Sequence, residues 1–131
     1  RLYHFFNGVL RFQTCDHSVS QMAVFRNEIT QKEIRFHEDR NRVLRALGGG
    51  EEAREEVNSI RLKPGFHAFL LCSDGFWEHV LEEEMEELLS KSSTPQEWLE
   101  KMCRRVQKCD GVDYDNYTAA TVFFTEEDDY E

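Results

Sequence analysis

The sequence predicts an α+β fold in a single domain, 1–131, and three observations carry that expectation. Apolar and aromatic runs at 2–6 and 9–14 flank Asn7-Gly8, the pattern of a tight β-hairpin. Phe69–Cys72 is a continuous apolar run, as in a strand buried on both faces. Two amphipathic helical segments then precede a β-branched and aromatic terminal strand, 117–125. Strands joined by hairpins, with helices kept apart from them, define the α+β class.

Each element has a local reason. Asn7 and Gly8 both tolerate positive φ, which a two-residue hairpin turn demands. Asp16 or Ser18 can cap a helix through Gln21, Met22, Val24 and Phe25. Thr30 with Glu33 forms a capping-box pattern that opens a second short helix, Thr30–Phe36. Val43, Leu44 and Leu47 give the next segment one apolar face, and Gly48-Gly49-Gly50 ends it. Residues 18–50 therefore read as a helical excursion between strands. Glu51–Glu56 is charged and expected at the surface, and 57–62 alternates weakly, like a strand. Lys63-Pro64-Gly65 is a turn signal. Leu81–Leu89 places Leu81, Met85, Leu88 and Leu89 opposite an acidic side. Thr94-Pro95 opens a helix whose Trp98, Leu99, Met102 and Val106 share a face. The tail 126–131 is expected to fray.

Composition narrows the function classes. The hydrophobic fraction of 40%, with ten Phe and two Trp, is enough to build a core and argues against disorder. A formal charge of −10 repels phosphate backbones and anionic lipid, so neither nucleic acid nor a membrane surface is an expected partner. The same charge suits carboxylates gathered around divalent cations. Cys15, Cys72, Cys103 and Cys109 form no CxxC pair, so reduced thiols in a cytoplasmic protein are the expected state. No apolar run is long enough to span a bilayer.

Two aspartates stand out. Asp74 follows the apolar run Phe69–Cys72 with only Ser73 between, and Gly75 beside it permits a close approach. A carboxylate there either caps the next turn or meets a cation. Asp115 lies in an acidic loop with Asp110 and Asp113, immediately before a strand. Such a loop is either solvated, with Asx turns, or an oxygen-ligand site for Mg²⁺ or Mn²⁺. Its spacing is not that of an EF-hand.

Taken together the segments are more specific. LLCSDGFWEHV (70–80), followed after two helices by DYDNYTAATVFF (113–124), resembles the closing motifs of the protein phosphatase 2C family, the metal-dependent serine/threonine phosphatases. RLYHFFNGVL (1–10), TCDHS (14–18), NEITQKEIRFHEDRNRVLRALGG (27–49) and LKPGFHAFLLCSDG (62–75) are similar to further family segments of bacterial type, in collinear order. The resemblance implies the C-terminal part of a four-layer α-β-β-α sandwich with antiparallel sheets. It implies two Mn²⁺ or Mg²⁺ ions and hydrolysis of phosphoserine or phosphothreonine in phosphoproteins by a metal-activated water, without a phosphoenzyme. Carried over by position, Asp74 and Asp115 are metal ligands, and Gly75 and Asn116 shape their loops.

The family's N-terminal acidic motif, its Asp-Gly-His-Gly-Gly motif and its Gly-Asp-Ser motif have no counterpart in this sequence. The expectation is a C-terminal half-domain, inactive alone. The rival reading is a non-catalytic binding or regulatory module on the same scaffold. Sheet edges without their N-terminal partners lead to a further expectation, a homodimer or a strand swap. His17 beside Asp16 is expected to serve structure. His37, Asp39, Arg40 and Arg42 are expected to hold the excursion together, with substrate selection as a lesser role. The run Glu82–Glu87 reads as a solvated helix face, and Trp77, Trp98 and Cys72 as packing residues.

Overall fold

A computed structural model of the chain describes residues 1–46, 55–108 and 115–126. The chain divides into two compact units, one formed by 1–14 with 62–131 and the other by 15–61.

The first unit is built on a four-stranded antiparallel sheet in the order β2-β1-β3-β4. Strands β1 (Leu2–Phe6) and β2 (Val9–Gln13) form the hairpin expected from Asn7-Gly8, with φ of 49° and 84° at the two turn residues. The register shifts between His4 and Phe5, leaving Arg11 as the extra residue of a bulge on the edge strand. Strand β3 (Gly65–Cys72) is longer than its apolar run, and it pairs with β1 on one side and β4 (Ala119–Glu126) on the other.

Three helices follow β3: a single turn, α2 (Asp74–Trp77), then α3 (Glu82–Ser90) and α4 (Pro95–Gln107). Thr94 caps α4 by accepting the Glu97 N–H at 3.1 Å, with Pro95 at the first helical position, where no donor is needed. In α3, Glu84 instead reaches back to accept the Leu81 N–H at 3.0 Å. Trp98 anchors α4 on the sheet. It is fully buried, meets Phe5 edge-on at 5.3 Å and donates its indole N–H to Met85 O at 3.0 Å. Two further bonds tie helices to strands. Thr121 donates to Pro95 O at 2.9 Å, and Glu86 accepts the Leu10 N–H at 2.7 Å.

The two sheet faces differ. Tyr3, Phe5, Ala68 and Leu70 on the helix side are fully buried. On the other, Leu71, Val122 and Phe124 are 44–49% exposed, so β3 is not buried on both faces as its composition suggests. That face also carries a buried pair. His67 donates from Nε2 to Lys63 O at 2.8 Å, which leaves its Nδ1 to accept from His4 Nε2 at 2.9 Å.

The second unit is local in character. Ser18, not Asp16, caps α1 (Val19–Phe25) by accepting the Gln21 N–H at 3.2 Å. The expected second helix is a 3-10 helix, Gln31–Phe36, whose Glu33 accepts from both the N–H and the hydroxyl of Thr30. Gln21 and Gln31 exchange side-chain amide bonds, and Ile34 is fully buried. The expected apolar helix face over 43–47 does not form: Val43 makes an isolated bridge to Ser18, and Val43 and Leu44 are exposed. Leu47 and the glycine run 48–50 lie outside the described residues. Nor do residues 57–62 form a strand, because the alternation there meets no pairing strand among the described residues and 57–61 are exposed. His17 bonds Glu56 at 2.8 Å, and Arg42 pairs with Asp39 at 3.0 Å, both serving cohesion within the unit.

Candidate metal centre

The candidate residues meet where β3 ends and β4 begins. Cys72 pairs with Ala119, the last rung of the ladder. Beyond it the contact continues through Ser73, whose N–H donates to Thr118 O and whose hydroxyl accepts the Thr118 N–H, both at 3.0 Å. Ser73 is the residue before the first turn of α2, and Asp74 is its first helical residue. Asp74 therefore does not occupy the capping position. Its carboxylate is exposed, and Oδ1 accepts the Gly75 N–H at 2.9 Å.

Gly75 explains how two backbone segments approach so closely. It is buried, and a Cβ at this position would lie 2.6 Å from Asn116 O and 3.3 Å from Asp115 O. No side chain fits there without moving backbone, so glycine is required by the approach itself. Asp115 is exposed, and its Oδ1 accepts the Asn116 N–H at 2.8 Å. An open depression of about 420 Å³ adjoins this side, lined by Gln107, Asp115, Asn116 and Tyr117. Asp110 and Asp113 lie outside the described residues, as does Cys109.

The structure thus brings Asp74-Gly75 against Asp115-Asn116. Two exposed carboxylates flank this junction of packed backbones, and carboxylate oxygens are the hard donors that Mg²⁺ and Mn²⁺ prefer. Two carboxylates are part of a coordination shell, and among the described residues no group of three His, Cys, Asp or Glu is gathered. The residues present fit such an ion as a partial set.

Sequence reasoning missed what surrounds this turn. Arg1 exchanges both backbone bonds with Cys72, at 2.7 and 2.9 Å, and its guanidinium lies 3.4 Å from the ring centroid of Trp77. Tyr3 accepts from Arg1 at 3.2 Å and donates to Glu82 at 3.5 Å. Burial, partly offset by Arg1, pushes the Tyr3 hydroxyl well above the usual phenol range, so it stays protonated. Only strand register brings these residues together, and no local pattern announces it.

No family model matches the chain. The serine/threonine phosphatase stp of Listeria monocytogenes is 34% identical over 108 residues, 82% of this chain and 42% of that protein. The PPM Ser-Thr phosphatase MsPP from Mycobacterium smegmatis, solved in complex with cacodylate, is 31% identical with a TM-score of 0.76, over 92% of this chain and 50% of that one. The catalytic domain of the serine/threonine phosphatase PstP, solved with 2 manganese ions, is 26% identical with a TM-score of 0.71, over 94% of this chain and 48% of that one. The chain spans about half the length of the relatives it matches, or slightly less. With its motifs, its sheet and its relatives in agreement, the chain belongs to the bacterial PPM, or 2C-type, family of serine/threonine phosphatases, corresponding to their C-terminal part.

Proposed function

We propose that this chain supplies Asp74 and Asp115 as two ligands of a Mn²⁺- or Mg²⁺-dependent centre that hydrolyses phosphoserine and phosphothreonine in proteins, and that it is inactive unless the remaining ligands are supplied. The carrying observation is the junction itself, where Gly75 lets the Asp74 turn pack against the Asp115-Asn116 backbone. Manganese in the PstP catalytic domain supports the choice of ion. A divalent cation bound here supplies positive charge that offsets the phosphoryl oxygens and raises the acidity of water. The chain's own part is to orient the carboxylates. Ser73 fixes the start of α2 against Thr118, and Gly75 and Asn116 set the spacing of the two loops. Among the described residues no helix is long and apolar enough to cross a membrane. The free thiols of Cys15 and Cys103 suit a cytoplasmic location. The half-exposed face bearing Leu71, Val122 and Phe124 supports self-association, which sedimentation over a range of concentrations would detect.

The test is release of phosphate from a phosphothreonine peptide in MnCl₂, by the chain alone and mixed with the N-terminal part of a related phosphatase. The chain alone should be silent and the mixture active. An Asp74→Ala, Asp115→Ala double variant should be silent in both. Full activity of that variant in the mixture would sink the proposal.

A further inference from the structure

We infer that Arg1, clamped over Trp77 and bonded to Tyr3, is a positioning residue that holds the Asp74 turn in its metal-binding geometry. The inference rests on the reading of Asp74 as a ligand. The turn is gripped from two sides. On the β4 side it is held by Ser73–Thr118 and by the packing of Gly75 against Asn116. On the β1 side the grip is Arg1. Its paired backbone bonds to Cys72 carry the β1–β3 ladder one residue past Leu2–Leu71, which delivers the side chain to the start of α2. There it covers the ring of Trp77, the last residue of the same helical turn that Asp74 begins. Trp77 is 3% exposed and cannot move aside. The Tyr3 hydroxyl, itself fully buried, links the guanidinium to Glu82 at the start of α3. One cation thus joins β1, α2 and α3.

This arrangement resolves an apparent conflict. A lone cation beside a metal site opposes metal binding by direct repulsion. Here the π face of Trp77 and, through Tyr3, the carboxylate of Glu82 face the guanidinium and offset part of its charge. Groups bonded directly to metal ligands are commonly worth about 10–100-fold in metal affinity, and Arg1, acting through Cys72 and Trp77, is expected at the lower end of that range.

Calorimetric titration of the purified protein with MnCl₂ tests the inference. Arg1→Met keeps the packing stem but removes charge and donors, and should weaken Mn²⁺ binding by about tenfold or more. Arg1→Lys, which keeps a cation over the ring, should recover much of the loss. Tyr3→Phe, which keeps the buried ring and removes only the hydroxyl, should weaken binding by a smaller factor. Asp74→Asn should abolish binding and serves as the reference. If Arg1→Met binds Mn²⁺ as well as or better than the parent while Asp74→Asn fails to bind, the positioning role is wrong and the ligand reading stands. If Asp74→Asn binds normally, the ligand reading fails and takes this inference with it. A lower melting temperature in Arg1→Met at unchanged Mn²⁺ affinity also overturns it, because the brace would then be structural only.

Discussion

The two units of this chain cohere by different means. The sheet unit joins residues distant in sequence: Leu2 pairs with Leu71, and Leu71 with Ala120. Its core is apolar and closed, with Tyr3, Phe5, Leu70, Phe76, Met85 and Trp98 all fully buried. The 15–61 unit relies on short-range polar links, namely Ser18 on Gln21, Gln21 on Gln31 and Thr30 on Glu33. Its large apolar residues are mostly outside, with Phe25 62% and Phe36 80% exposed. Burial of apolar surface is the dominant favourable term in folding, whereas each neutral hydrogen bond adds only about 0.5–1.5 kcal/mol net. The sheet unit should therefore be the stable partner, and both candidate ligands lie in it.

The sharpest way to break this contrast is Trp98→Ala. It empties the centre of the sheet unit and removes the indole bond to Met85 O, and should cost about 3–5 kcal/mol, read as a shift in urea midpoint. A loss below about 1 kcal/mol would mean the core is not organised around that indole. Gly75→Ala comes next. The added Cβ meets Asn116 O at 2.6 Å, so the backbones must part, at about 1–3 kcal/mol. Mn²⁺ affinity should fall with stability in that variant, and an unchanged affinity would count against the junction as a site. Ser18→Ala removes the α1 cap and should cost about 1 kcal/mol, confined to 15–61. Hydrogen exchange should then quicken in that unit while the β1 and β3 amides keep their protection.

The smallest effect concerns pH. Burial, reinforced by His67, holds the His4 imidazole below its ordinary value. A depressed histidine favours folding above its unfolded pKa and loses that contribution as pH falls. Stability of the sheet unit should thus decline slightly as pH drops below about 6.5, and the slope should flatten in His4→Gln. An equal slope in the variant would show that carboxylates, not His4, set the acid limb.

Legibility in the sequence followed the range of the interaction. Asn7-Gly8 and Thr94-Pro95 announce a turn and a cap because the chemistry is complete within about four residues, whereas for α1 the same chemistry left both Asp16 and Ser18 open. The motif order around Asp74 and Asp115 likewise survives in the linear text. The weak alternation over 57–62 misled because a strand needs a neighbour, and periodicity does not say whether one is available. The apolar residues around Val43 misled similarly, since composition alone does not specify what will cover them.

By itself, then, the sequence determined the α+β class, the hairpin, the Thr94-Pro95 helix start and the order of the two aspartate motifs. Tertiary structure decided that Ser73 would bond Thr118, that Gly75 would press on Asn116 and that Arg1 would cover Trp77. The reason is the strand ladder. One register places three segments far apart in sequence, at Arg1, 73–77 and 115–118, at the same end of the sheet, and a slip of one residue would turn every side chain to the other face. That register is a property of the closed sheet, and no stretch of the chain carries it alone.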